Sequence, residues 1–378
     1  MSLLSRRHAA ADVDLAEVHL ALALVEDPEL HLPLDEAGMV EGVEVGRSGA
    51  VSVTIRLTTP SCPLKDTLAR DVTEAVGSVA GVERVEVSFS AMTENERMQL
   101  ASRLRGSSPE GGHRFGLGSA TQVYAVASGK GGVGKSTVTA NLAVALAQEG
   151  RRVGILDADV WGYSVPQLFG VRRAPVALKG IMLPVEAHGV ALMSVGFLVS
   201  DEEPVVWRGP MLHKALEQFL SDVHWGELDT LLIDLPPGTG DITMSLLELV
   251  PDAALIAVTT PQVAAQTVAE RVGRMARNFR MPVAGVVENM TELVCGSCQH
   301  STALFGSGGG ERLAEAIAAP LLGAVPLDIE LREAGDVGVP AMVRAPHARS
   351  VAELRRIAAT LPVVQRSLVG RSLPLSVV

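Results

Sequence analysis

The sequence predicts an α/β chain: a mostly parallel sheet covered by helices on both faces, preceded by a small α/β domain. Three observations carry that prediction. From Gln122 onward, apolar runs of strand length alternate with helical patterns, in the order "VYAVAS", "RVGILDAD", "VALMSV", "TLLIDLP", "AALIAVTTP", "VAGVVEN" and "LLGAVP". That alternation makes βαβ units, whose crossovers lay helices on both faces of a parallel sheet. The composition agrees: the 378 residues are 47% hydrophobic but only 3% aromatic, which suits buried parallel strands under small-residue helices better than an aromatic-rich sandwich. Finally, a Gly- and Ser-rich stretch, "SRLRGSSPEGGHRFGLGS", separates this region from about a hundred residues with strand and helix periods of their own.

Taken in order, residues 14–24 show helical spacing, residues 40–45 and 51–57 alternate as strands, residues 64–76 return to helical spacing, and residues 82–89 alternate again. These define a first domain over residues 12–100, joined by a linker over residues 101–121 to the main domain, residues 122–345. Residues 346–378 form a C-terminal helical tail, in which "ARSVAELRRIAATLPVV" mixes basic and apolar residues at helical spacing until Pro362. Its apolar face suits either docking on the main domain or lying on a membrane surface.

Charge and cysteine usage narrow the function classes. A formal net charge of -11 argues against broad binding to a phosphate backbone, so nucleic acid is not an expected partner. With 3 cysteines in so long a chain there is no disulfide framework, and a reducing, cytoplasmic setting is expected. Arg6 and Arg7 are followed by Asp12, Asp14 and Glu17 before any apolar run develops, which does not fit a signal peptide. No later run reaches the roughly 18 apolar residues of a transmembrane segment.

The strongest motif is "GKGGVGKS", Gly129 to Ser136, set between an apolar strand and an amphipathic helix. It satisfies G-x-x-x-x-G-K-[ST] in the context where the pattern has a mechanism, and makes the expected fold that of a P-loop NTPase. Gly131, Gly132 and Gly134 let backbone N–H groups turn inward around phosphate oxygens, and the following helix points its positive end at the same anion; Val133 and Thr137 are counted with these nucleotide-binding residues. ATP with Mg²⁺ is the implied ligand: Lys135 faces the β and γ phosphates and the Ser136 hydroxyl ligates the metal.

Two further strand ends carry carboxylates. "GILDADVWGYS" presents Asp157 and Asp159 where a loop can respond to the γ-phosphate, and "TLLIDLPPGTGD" ends an apolar strand at Asp234, placed to hold Mg²⁺ through water. A single Asp after a strand is commonly only a helix cap. Several at the ends of one P-loop sheet are better explained by the nucleotide. Asn289, closing "VAGVVEN", suits reading an adenine edge, and a turn-forming Asn explains it nearly as well.

Lys130 adds a second lysine that phosphate cradling within one subunit does not need. With it, the loop resembles the deviant Walker A motif, K-G-G-x-G-K-[ST], of MinD/ParA-like P-loop ATPases. The resemblance implies a homodimer in which Lys130 reaches the partner's nucleotide, and that Asp159 orients the attacking water. The plainer reading of Lys130 is a solvated side chain. Over residues 124–340 the chain resembles the Mrp/ApbC iron–sulfur cluster carrier ATPases through "ASGKGGVGKST", "LDADVWGYSVPQLFG", "VVWRGPML", "LDTLLIDLPPGTGD", "VTTPQ", "VVENM", "CGSC" and "GDVGVP". The first domain is similar to the metal–sulfur cluster assembly domain of many members through "VEDPEL", "VSVTIRLTTPSCPLKD" and "VERVEVSFS". Two departures lie in loops. Gly296 and Gln299 stand where the family usually has Pro and Gly, and Gly162, Tyr163 and Ser164 replace its usual Gly-Pro-Ser.

Cys295 and Cys298 form a C-x-x-C pair, half of a tetrahedral soft-metal site. A 4Fe-4S cluster takes four thiolates, and a two-fold axis beside the pair would supply the other two from the partner. Zinc bound with the help of His300, or a redox dithiol, are the competing readings. Cys62, in "PSCPLKD", is either a cluster-handling thiol, as the resemblance implies, or a small buried hydrophobe. The expected function is a homodimeric ATPase that carries a labile cluster to apo iron–sulfur proteins. A positioning or partitioning ATPase acting on membrane or DNA, and an electron-transfer ATPase resembling dinitrogenase reductase, are the alternatives.

Overall fold

The structure is a computed structural model that describes residues 13–30, 32–59, 64–106, 115, 120–198, 209–238, 241–278 and 281–363. It divides into two compact units, one of residues 1–110 with 176–183 and one of residues 111–175 with 184–378.

Along the chain, the first unit begins with α1 (Leu15–Leu22), the short strands β1 (Glu26–Asp27) and β2 (Leu32–Pro33), and β3 (Val40–Val45). It continues through β4 (Ala50–Leu57), α2 (Lys65–Gly77), β5 (Arg84–Ala91) and α3 (Glu94–Gly106). In the second unit, β6 (Gln122–Ser128), α4 (Lys135–Gln148), β7 (Val153–Asp157) and the single-turn α5 (Val165–Leu168) come first. The chain then contributes β8 (Val176–Leu178) and β9 (Ile181–Leu183) to the first unit. Back in the second unit follow β10 (Val185–Ala187), β11 (Val190–Ser194), α6 (Gly209–Ser221), β12 (Thr230–Asp234), α7 (Asp241–Leu249), β13 (Ala254–Thr259) and α8 (Val263–Asn278). The last elements are β14 (Val283–Val294), β15 (Ser301–Thr302), α9 (Gly309–Ala316), β16 (Leu321–Leu327), α10 (Ile329–Val337), α11 (Ala341–Arg344) and α12 (Arg349–Thr360).

In the first unit, β4 pairs antiparallel with β3 and parallel with β5. The period-two pattern of β4 is realised as Val51, Val53, Ile55 and Leu57 pointing into the core. Helix α2 meets that face with Leu68, Val72 and Val76, spaced four apart so that they share one stripe. Helix α3 adds Leu100, Ala101 and Leu104, so helical structure continues past the point where the composition turns Gly- and Ser-rich. Leu178, Ile181 and Leu183 of the β8–β9 hairpin belong to the same core. Nothing in its sequence announces that allegiance: the two strands are three residues each, and they lie far along the chain from the unit they complete.

Among the described residues the second unit holds a nine-stranded sheet in the order β10-β11-β7-β12-β6-β13-β14-β15, with β16 paired to β14. The strands from β11 through β16 that follow the predicted βαβ alternation are parallel; β10 and β15 run antiparallel at the margins. Flanking helices seal the sheet, and α4 is buried along much of its length because its small residues, among them Ala140, Ala143 and Ala145, let it lie close. Helix α12 docks on this core through Val351, Leu354, Ile357 and Ala358, and Tyr124 Oη donates to the Pro362 carbonyl at 2.9 Å just beyond its end. Docking therefore accounts for the tail's apolar face. Phe115, from the Gly-rich stretch, packs edge-on against Trp225 with ring centroids 6.4 Å apart. No helix among the described residues is long and apolar enough to cross a membrane.

Candidate nucleotide site and cysteine loop

β6 delivers the chain to the P-loop where β12 flanks it on one side and β13 on the other, so the loop opens into the crevice beyond the carboxyl ends of the sheet. Gly132 and Gly134 turn the loop at φ 78° and 79°, a region that only glycine enters without strain. Gly129 is buried, while Lys130, Gly131, Gly132, Val133, Gly134, Lys135, Ser136 and Thr137 line a pocket of about 490 Å³ together with Asp159 and Trp161. The N-terminus of a helix placed like α4 attracts an anion, and Ser136 and Asp234 carry the hard oxygen donors that Mg²⁺ takes.

The charged groups converge below the loop. Lys135, only 6% exposed, places Nζ 2.6 Å from Asp234 Oδ2 and 3.7 Å from Asp159 Oδ2. Ser136 Oγ donates to Asp234 Oδ2 at 2.6 Å, and Thr139 Oγ1 donates to Asp234 Oδ1 at 2.9 Å. Thr139 was not singled out from the sequence, although it stands three residues after Ser136 on one helix face, which was the available signal. Burial raises the Asp159 carboxyl above its ordinary range, opposed by Lys135.

Asp157 plays a different part. It is fully buried and faces Asp234 in the β7–β12 register. Its Oδ1 accepts from Asp159 N at 3.2 Å, and its Oδ2 from Ser164 N and Val165 N at 3.2 Å and Ser194 Oγ at 3.1 Å. It therefore ties the loop after β7 to α5 and β11. Burial, and then the charge of Asp234, push its carboxyl up to about 7. Asp159 in turn accepts from Gly162 N at 3.1 Å, closing the same loop from the pocket side.

Asn289, on β14, is 3% exposed and donates Nδ2 to the Val133 carbonyl at 2.9 Å. A Cβ on Gly134 would stand 2.2 Å from that nitrogen, so Gly134 and Asn289 fit only as a pair. Asn289 also lines a neighbouring pocket of about 480 Å³ with Thr137, Met290, Asp328 and Leu331. Lys130 Nζ donates to Gln262 Oε1 at 2.7 Å. The parallel register that pairs Ser128 with Val258 brings the two residues together, a juxtaposition that spacing along the chain cannot show.

The cysteines lie elsewhere, and neither lines these pockets. β14 runs on past Asn289 to Val294 and pairs with β15 through Val294 to Ser301 and Leu293 to Thr302, so Cys295 and Cys298 sit at the tip of a hairpin. The tip is closed by Cys295 N donating to the His300 carbonyl and Gln299 N to the Cys295 carbonyl, both at 2.9 Å. Both thiols are free and exposed. Backbone N–H groups of Cys298 and then Ser297 lower the Cys295 pKa, favouring the thiolate that a soft metal takes. Among the described residues no group of three or more His, Cys, Asp or Glu side chains is arranged to hold a metal ion, and the two thiols by themselves are half a tetrahedral set. Cys62 lies outside the described residues.

Comparison with known proteins agrees with this geometry. The family model described as NUBPL iron-transfer P-loop NTPase matches residues 119–362, and the model for iron-sulfur cluster assembly protein matches residues 15–89. The chain is 48% identical over 373 residues to the iron-sulfur cluster carrier protein of Mycobacterium leprae (strain TN), covering 97% of each. It is 45% identical over 245 residues to the protein of that name from Escherichia coli (strain K12), covering 64% of this chain and 66% of that one. Among solved structures it resembles a nucleotide-binding protein from Archaeoglobus fulgidus, in complex with ADP, at 35% identity and a TM-score of 0.53, covering 64% of this chain and 93% of that one. With a deviant P-loop on a MinD/ParA-type sheet, a cysteine pair at the end of β14 and a cluster-assembly domain in front, the chain belongs to the Mrp/ApbC-like family of iron–sulfur cluster carrier P-loop ATPases.

Proposed function

We propose that this chain is an ATP-hydrolysing iron–sulfur cluster carrier that works as a homodimer, binds one labile 4Fe-4S cluster between the Cys295/Cys298 pairs of its two subunits, and transfers it to apo-proteins. The observation that carries this reading is the closed C-x-x-C hairpin tip, which offers two exposed thiols just beyond the strand whose Asn289 donates to the P-loop. Two thiols from each subunit complete the four that such a cluster needs.

ATP with Mg²⁺, when bound, supplies the phosphoryl group and the cation that neutralises it. Around it, the P-loop backbone from Gly129 to Thr137 orients the phosphates, and Ser136 and Asp234 hold the metal. Lys135 leaves Asp234 for the phosphate oxygens, Asp159 orients the attacking water, and Lys130 adds positive charge from across the dimer. Cluster affinity follows nucleotide state only if the open and closed dimers hold the thiols differently, since a ligand shifts an equilibrium by its differential affinity alone. The β14 strand is the covalent route between the two sites.

The test is transfer. Protein reconstituted anaerobically with iron and sulfide is mixed with an apo iron–sulfur acceptor, and the acceptor's activity and the donor's visible absorption are followed. The carrier reading expects the cluster to leave with the acceptor gaining it, and Cys298→Ala to abolish loading. Stoichiometric retention beside a competent acceptor would instead indicate electron transfer.

A further inference from the structure

Gln299 is the residue after the cysteine pair, and its backbone sits at φ 59°, where glycine is usual and a side chain is strained. Its side chain has work to do there. Oε1 accepts from Arg349 Nη2 at 3.1 Å, and Nε2 reaches back to the Gly296 carbonyl at 3.4 Å. One glutamine thus braces the loop across its own tip and ties it to the first residue of α12. The next residue fixes that turn of α12 from the other side: Ser350 is fully buried, and its Oγ donates to Asp328 Oδ2 at 2.8 Å. Asp328 caps α10 by accepting from Glu330 N at 3.0 Å and lines the pocket shared with Asn289 and Met290. A glycine after the second cysteine would relieve the backbone and lose both side-chain ties.

We propose that Arg349 is a positioning residue for the cysteine pair, acting through Gln299: the first turn of α12 holds the C-x-x-C tip in register with the pocket wall at Asp328. The proposal rests on the carrier reading for its purpose but not for its geometry. Both partners are solvent-exposed, so the tie is modest in energy, and its effect belongs to the order of the loop and not to global stability.

The experiment uses the full-length apo-protein. Amide hydrogen exchange over residues 295–300 and the alkylation rate of the thiols by iodoacetamide are measured in wild type, Arg349→Ala, Arg349→Lys, Gln299→Gly and the Gln299→Gly/Arg349→Ala pair. Arg349→Ala is expected to speed local exchange roughly three- to tenfold, with the melting temperature unchanged and Arg349→Lys recovering part of the effect. In the Gln299→Gly background the alanine change adds nothing further, because the interaction is already absent. Unaltered exchange and alkylation in Arg349→Ala would overturn the proposal, as would an acceleration spread evenly over α12. The same variants, reconstituted with iron and sulfide, are expected to lose cluster faster in proportion. If wild type takes up no cluster while the apo-protein results hold, the carrier reading fails and the positioning role stands.

Discussion

Lys130 Nζ donates to Gln262 Oε1 at 2.7 Å within one subunit. The lysine that is expected to act across a dimer thus lines its own nucleotide pocket, as does Trp161, which is 72% exposed. Lys130→Ala is expected to lower ATP turnover by about a hundredfold or more while changing nucleotide affinity less than about tenfold, because charge supplied in trans acts on the transition state. Single-turnover hydrolysis beside equilibrium nucleotide binding separates the two. Equal losses in both would make Lys130 an ordinary binding residue.

Lys135 and Asp234 form a buried pair at 2.6 Å, further tied by Ser136 and Thr139. Asp234→Ala leaves the buried ammonium with only the more distant Asp159 carboxylate, at 3.7 Å, and breaking a buried pair in this way costs up to about 3–5 kcal/mol. Denaturant unfolding of the nucleotide-free variant should show that loss in the second unit's transition, together with loss of Mg²⁺-dependent hydrolysis. A variant as stable as wild type would mean that Lys135 finds another partner at once.

Gly134 and Asn289 make a double-mutant cycle. Gly134→Ala drives a Cβ to within 2.2 Å of Asn289 Nδ2 at a φ of 79°, whereas Asn289→Ala opens that space but frees the Val133 carbonyl. Gly134→Ala alone should abolish nucleotide binding, and adding Asn289→Ala should restore part of the lost stability, a coupling on the order of 1–3 kcal/mol. Additive losses in thermal unfolding would show that the backbone angle, not the clash, dominates.

The buried Asp157 gives a pH dependence with a definite sign. Its folded pKa, up to about 7, lies above its ordinary value of 3.8, so the folded state binds the proton more tightly. Its contribution to stability is therefore full below the unfolded pKa and is lost as pH rises through about 7. Carboxylates with lowered values, such as Glu353 beside Arg356, lose their contribution only as pH falls below the ordinary carboxylate range, outside this window. The melting temperature of nucleotide-free protein should fall by several degrees between pH 5 and pH 8, and Asp157→Asn should flatten that slope. An unchanged slope in the variant would place the titration elsewhere.

The β8–β9 hairpin closes the first unit's core with Leu178, Ile181 and Leu183. Ile181→Ala should cost that unit about 2–5 kcal/mol, as large-to-small changes in a packed core do. Residues 1–110 produced alone, lacking the hairpin, should give broad amide spectra that a 176–183 peptide sharpens. A well-folded isolated fragment would show the hairpin to be dispensable.

What was legible in the sequence follows from the range of the interactions. The parallel strands were readable because both faces are buried and each is a continuous apolar run, as in Thr230–Asp234. The P-loop was readable because its glycines, Lys135 and Ser136 act within eight consecutive residues. The partners of those residues were not: Gln262 meets Lys130, and Thr139 meets Asp234, only after the sheet order is set. The sequence suits Asn289 either to an adenine edge or to a turn; its hydrogen bond from Nδ2 to the Val133 carbonyl is a third contact, visible only in the fold. The hairpin at residues 176–183 has no signature in the sequence because its short strands carry no period and its core lies in another unit. Gln299 was visible as a departure from the usual glycine, but its tie to Arg349 required α12 to be docked.

The central claim is that Cys295 and Cys298 from two subunits share one cluster. Native mass spectrometry of anaerobically reconstituted protein, with Mössbauer spectra of the same sample, tests it most directly. The expected species is a dimer carrying a single four-iron, four-sulfide cluster, absent from Cys295→Ala and Cys298→Ala alike. A monomer that retains metal, or a dimer holding one zinc ion per subunit and no iron, would contradict it.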